Sequence, residues 1–156
     1  MESTEFGKRE RFIRILMSAG FQDITLKYYS DKHYDRFYTA EQLADYSLDI
    51  KRAFKKGNYV IDFDYVNVWL EIGEHNFCIH YSEISDKLIA VVLMLSGLKG
   101  KAPRYKFGRY SVEPNELYDA ILNSYPYSCM NQQRKRAIEE ARIEIKKCLA
   151  LVESFV

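Results

Sequence analysis

The chain has 156 residues, 47% of them hydrophobic and 29% charged, the balance of one ordinary globular domain with length enough for a real core. Twenty-three Lys and Arg face twenty-two Asp and Glu, so the net charge of +1 argues against binding nucleic acid by bulk charge and leaves room only for a local basic patch. Three scattered cysteines, Cys78, Cys129 and Cys148, make no CxxC pair and fit a reducing compartment better than a disulfide framework.

The first residues, MESTEFGKRE, hold no apolar run of the signal-peptide kind. The longest apolar run, Leu88 to Leu95, falls far short of the roughly 20 residues of a membrane-spanning helix. The expectation is a soluble, cytoplasmic protein that makes no use of a membrane.

Residues 4–19 read as an amphipathic helix capped by Thr4, with Phe12, Ile13, Leu16 and Ala19 as its apolar stripe and Gly20 as its stop. Lys8, Arg9, Arg11 and Arg14 are assigned to its solvated face, and Glu5–Arg9 and Glu10–Arg14 are favourable pairs one turn apart. Phe21 to Tyr29 alternates, with Ile24, Leu26 and Tyr28 on one side, and predicts a half-buried strand. Residues 30–38 read as loop. Thr39 and Gln42 form a capping box that opens a helix over 40–56, carrying Leu43, Tyr46, Ile50, Ala53 and Phe54, with Gly57 closing it.

Asn58 to Tyr81 is the strand-rich centre. Ile61, Phe63 and Tyr65 share one face opposite Asp62 and Asp64. From Val66 the phase shifts, and Val66, Val68, Leu70 and Ile72 become the apolar set opposite Asn67, Trp69 and Glu71. A β-bulge or a break into two strands would each produce that shift. Gly73 to Asn76 predicts a hairpin loop, and Phe77, Ile79 and Tyr81 the inner face of the return strand, with Cys78 and His80 opposite.

Residues 84–98 read as a helix capped by Ser85 or Asp86, or as a buried strand, with the helix favoured. Lys106 to Val112 reads as a strand, and Pro114 opens a short helix with Leu117, Ile121 and Leu122. The last helix spans about Met130 to Ser154. Its apolar positions Ile138, Ala141, Ile145, Cys148, Val152 and Phe155 repeat with 3-4 spacing. That seam packs within the chain or, in the sharper alternative, joins two copies as a homodimer. The fold class expected is α+β in a single domain. A small antiparallel sheet of about four or five strands, built on the 58–81 hairpin, is packed by the N-terminal helix, the 40–56 helix and the long C-terminal helix.

Lys99, Lys101, Arg104, Lys106 and Arg109, interleaved with Tyr105, Phe107 and Tyr110, are the leading candidate partner-binding residues. Cations neutralise phosphates and aromatic faces stack on bases, so the stretch suits nucleic acid; it suits an acidic protein surface equally. A solvated loop and an edge strand guarded by Lys is the bland reading. Arg134, Lys135 and Arg136 open the last helix where its dipole disfavours cations, and they extend the candidate patch unless Glu139 and Glu140 merely offset them.

Other chemistry lacks partners. His75, Cys78 and His80 are zinc-ligand types without a second cluster. Asp62 and Asp64 are spaced as Mg²⁺ ligands of a nuclease or other hydrolase, but the lone E-x-K, Glu144 to Lys146, lies on the final helix. No nucleophile elbow or phosphate loop is present, and no catalytic residue, metal or cofactor is implied.

No segment matches a family signature. In being single-domain, Tyr-rich, charge-balanced and free of catalytic motifs, the chain resembles small accessory proteins of phages and plasmids, such as inhibitors of host defence complexes or toxin-neutralising immunity proteins. The resemblance implies a non-enzymatic protein that occludes a protein or nucleoprotein partner. A nucleic-acid-binding protein using 99–110 is the alternative, and a metal-dependent nuclease or hydrolase at Asp62 and Asp64 the third reading.

Overall fold

The computed structural model describes residues 3–25, 27–28, 51–57, 59–72, 75–97, 118–119, 121–123 and 132–155. The expected 30–38 loop, the capping box at Thr39, most of the basic stretch's surroundings and the whole of 99–110 lie outside them, as do the 106–112 strand and Cys129. The chain divides into two compact units, residues 1–82 and 83–156.

The first unit is α+β. Helix α1 (Ser3–Ser18) precedes five strands, β1 (Gln22–Asp23), β2 (Arg52–Lys56), β3 (Tyr59–Phe63), β4 (Asn67–Ile72) and β5 (His75–His80). They form one antiparallel sheet in sequence order. Helix α1 ends where Gly20 adopts φ +96° and the Phe21 N–H reaches the Leu16 carbonyl at 3.0 Å, a Schellman close that folds buried Phe21 back onto the core.

Register sorts the sheet into two faces. Phe54, Ile61, Leu70, Phe63, Val68 and Ile79 lie on one face, all buried. Helix α1 lies on this face, where Phe12 meets the Phe63 ring edge-on with centroids 5.6 Å apart. Each such aromatic or aliphatic side chain removed from water contributes about 1.5–3 kcal/mol. The other face carries a row across four strands, Ala53, Asp62, Trp69 and Cys78.

Two sequence expectations are corrected here. The strand over 21–29 stops at Asp23, and Thr25, Lys27 and Tyr28 are helical. The Asp23 carboxylate takes both the Thr25 N–H (2.9 Å) and its hydroxyl, which caps a helical turn at the point where alternation predicted extension. The end of the 40–56 helix is strand β2 instead. Lys56 pairs directly with Tyr59 across a tight reversal that Gly57 opens in the left-handed region at φ +60°. The phase shift at Tyr65-Val66 is a break into two strands, joined by residues 64–66.

In the second unit, α2 (Asp86–Gly97) bears out the helix reading of 84–98. Ser85 caps it, its hydroxyl accepting the Leu88 N–H at 3.1 Å. All of Leu88 to Leu95 is buried, as a helix apolar on every side must be. Residues 118–119 and 121–122 are helical and hold Tyr118 and Ile121 inward. Helix α3 (Gln132–Glu153) packs along α2. Ile138, Ala141, Ile145 and Val152 of its heptad seam are buried in the chain itself, which leaves those positions no open seam for a second copy. Among the described residues no helix is long and apolar enough to cross a membrane.

Candidate protein-docking face

Among the described residues, five large apolar side chains of the first unit are exposed, Phe6 and Met17 on α1 and three close together in sequence at the β3–β4 corner. Tyr65 and Val66, in the β3–β4 connection, and Trp69, on β4, are 47%, 46% and 43% exposed. The alternation of β4 explains Trp69: with Asn67 and Glu71 it occupies the face opposite buried Val68 and Leu70. Tyr65 was expected beside Ile61 and Phe63 on the apolar face. The strand ends at Phe63, so Tyr65 leaves that alternation and turns to solvent.

Asp64 organises this corner. Its Oδ1 accepts the backbone N–H groups of Val66 (2.9 Å) and Asn67 (2.7 Å), and its own N–H donates to the Asn67 carbonyl at 2.9 Å. Its Oδ2 accepts the Trp69 indole Nε1–H at 3.0 Å. One carboxylate therefore closes the turn and orients the tryptophan, an Asx-turn extended to a side chain. Lys51 sets its ammonium 5.3 Å from the centre of the Tyr65 ring.

The corner is also held from beneath. Arg9, on α1, is fully buried, and its Nε donates to the Tyr81 hydroxyl at 3.1 Å. That hydroxyl in turn donates to the Asp64 carbonyl. The guanidinium stands over the Phe6 ring at 5.2 Å and the Phe63 ring at 5.7 Å, and it pairs with Glu10. Burial pushes the Tyr81 phenol up to about 12; the Arg9 charge and hydrogen bond oppose that rise, and Asp64 and Asp62 add to it. A chain of hydrogen bonds thus runs from α1 through Tyr81 to the turn whose Asp64 holds Trp69.

Arg9 corrects the assignment of a solvated face. It sits three and four residues before Phe12 and Ile13, inside the inward stripe, and that spacing was the available signal. Its charge masked the signal, because Arg is seldom fully buried without partners.

The proposed zinc-type trio divides. Cys78 is exposed and His80 half-buried on the Trp69 face, as expected, whereas His75 pairs with Ile72 at a position of the opposite parity. The Ser82 N–H donates to His80 Nδ1 at 3.1 Å, which ties the ring to its own strand end. Asp62 is buried on β3, and both oxygens of Asp64 are committed to the turn and to Trp69. Among the described residues no three His, Cys, Asp or Glu side chains gather in a metal-holding group.

Lys99, Lys101, Arg104, Tyr105, Lys106, Arg109 and Tyr110 lie outside the described residues. Arg134 to Arg136 do fall in the first turns of α3, where Lys135 is half-buried and Arg136 exposed. The chain matches no protein-family model, no curated protein and no solved structure.

Proposed function

We propose that this is a non-enzymatic binding protein that occludes a surface of a partner protein, in the manner of an inhibitor or adaptor, and that the sheet corner around Trp69 is its docking face. The observation that carries the reading is the exposure of Tyr65 and Val66 on the β3–β4 turn and of Trp69 on adjoining β4, with Asp64 holding both the turn and the indole. Tyr and Trp are the side chains that most often anchor protein interfaces. An anchor already held in one orientation loses little conformational freedom on binding. The basic stretch at 99–110, with Arg134 to Arg136, remains a second proposed surface.

Capture from native-host lysate, with mass spectrometry and nucleic-acid recovery, tests the two surfaces against each other. The wild type, a Tyr65→Ala/Trp69→Ala variant and an Arg104→Ala/Lys106→Ala/Arg109→Ala variant serve as baits, each checked by circular dichroism. A protein retained by the wild type and lost only with the first variant is the expected result. Loss only with the second moves docking to the basic stretch. Recovered nucleic acid whose binding falls steeply with salt replaces this reading with the nucleic-acid one.

A further inference from the structure

Trp69 is the single tryptophan of the chain, and its one hydrogen-bond donor is already engaged by Asp64. What it offers a partner is therefore its π face. Donation of the N–H to a carboxylate leaves that ring electron-rich. The register then surrounds it with acids. Asp62 lies directly across on β3, Asp64 holds the indole nitrogen, and Glu71 lies two residues along β4 on the same face.

Among the described residues, the cations of this face stand aside from that ring. Lys51 has its ammonium over Tyr65, and Lys55 falls in the neighbouring row, across β3 from Glu71. The Tyr65 ring thus already carries a cation. Among the described residues none lies over Trp69, although indole is the best aromatic acceptor of positive charge.

We infer that the Trp69 face takes an arginine or lysine side chain of the partner protein, so that the docked segment is cationic. The inference rests on the docking reading above and adds the sign of the partner's charge. It also separates this face from a phosphate-binding surface. Bases can stack on tryptophan, but the phosphates that accompany them would meet Asp64 and Glu71.

The lone tryptophan supplies the readout. Short oligo-arginine, oligo-glutamate and oligo-thymidine strands are titrated against the full chain while Trp69 emission is followed. The expected result is a saturable change with oligo-arginine alone. In calorimetry, Trp69→Leu then weakens the oligo-arginine complex roughly three- to thirty-fold, and Glu71→Gln weakens it less. Because Trp69 and Glu71 both reach solvent, these variants are expected to keep the wild-type circular dichroism spectrum.

An unchanged emission with oligo-arginine, or an equal response to oligo-glutamate, overturns the assignment. So does a saturable, salt-sensitive response to oligo-thymidine, which would give the face to single-stranded nucleic acid. If Tyr65→Ala/Trp69→Ala abolishes protein capture while oligo-arginine leaves Trp69 unmoved, docking stands and only the cationic partner is wrong. If capture is also indifferent to that variant, both readings fall.

Discussion

The two units of this chain bury their helices in opposite ways. In the second, α2 is apolar on every side and covered on every side, and the polar groups are left at its ends, where Ser85 caps it and Lys87 meets Asp119 at 3.2 Å. In the first, α1 takes a full positive charge inward with its apolar stripe, and the sheet beneath it keeps a second face with Trp69 in the open. The second arrangement is packing with little room for anything else. The first spends a buried Arg and a buried Tyr on fixing one turn, and Asp64 of that turn holds the exposed Trp69 indole. Charge placed under a corner is a costly way to stabilise a fold and an effective way to hold a surface in a single shape.

Core truncation is the strongest way to test the contrast. Leu88→Ala removes a fully buried side chain from α2 and is expected to cost roughly 2–5 kcal/mol in urea unfolding. Arg9→Ala loses the Tyr81 hydrogen bond and the stacking on Phe6 and Phe63. Its ion-pair partner Glu10 is partly exposed and recovers solvation, so the expected cost is lower, roughly 2–3 kcal/mol. Arg9→Met, which keeps the apolar stem, should cost less than Arg9→Ala. Native-state hydrogen exchange sharpens the comparison. Leu88→Ala should lower protection in α2 and α3, and Arg9→Ala in the sheet. Equal loss throughout from either substitution would show that the two units open together.

The parts of the fold that the sequence disclosed are those set by periodicity alone. The 3-4 seam of α3, the Gly20 stop of α1 and the alternation of β4 and β5 all reappear. Even the break at Tyr65-Val66 was visible as a change of phase. The misread strand and helix ends turn on local backbone events that hydrophobic spacing does not report. Asp23 caps a turn where alternation extended a strand, and Gly57 opens a hairpin where helical spacing ended a helix. The corner around Trp69 was half legible. Trp69 was assigned to the polar face, but nothing in the sequence spacing says that Asp64 would reach five residues along to the indole. Arg9 was hidden because its partner Tyr81 is seventy-two residues away, and single-sequence patterns carry no signal over that distance.

The smallest expected effect concerns how β1 is tied to the sheet. Burial alone would raise the Asp23 carboxyl. Hydrogen bonds from Thr25 and Arg52, with the Arg52 charge, outweigh burial and hold it below the ordinary carboxylate value. The Arg52 contact is 2.7 Å, and Thr25 Oγ1 in turn accepts the Ala53 N–H at 3.1 Å, so Asp23 links β1 to β2 through two partners. A carboxyl whose folded pKa is depressed stabilises the fold fully above its unfolded value of about 3.9 and loses that contribution as pH falls through the lower folded value. The wild-type melting temperature should therefore fall more steeply below about pH 4 than that of Asp23→Asn, and the two curves should converge in acid. The difference at neutral pH should be small, because both partners of the ion pair remain partly exposed. Parallel curves throughout would mean that the link between β1 and β2 does not depend on the Asp23 charge, and that the Thr25 hydrogen bonds alone hold this edge of the sheet.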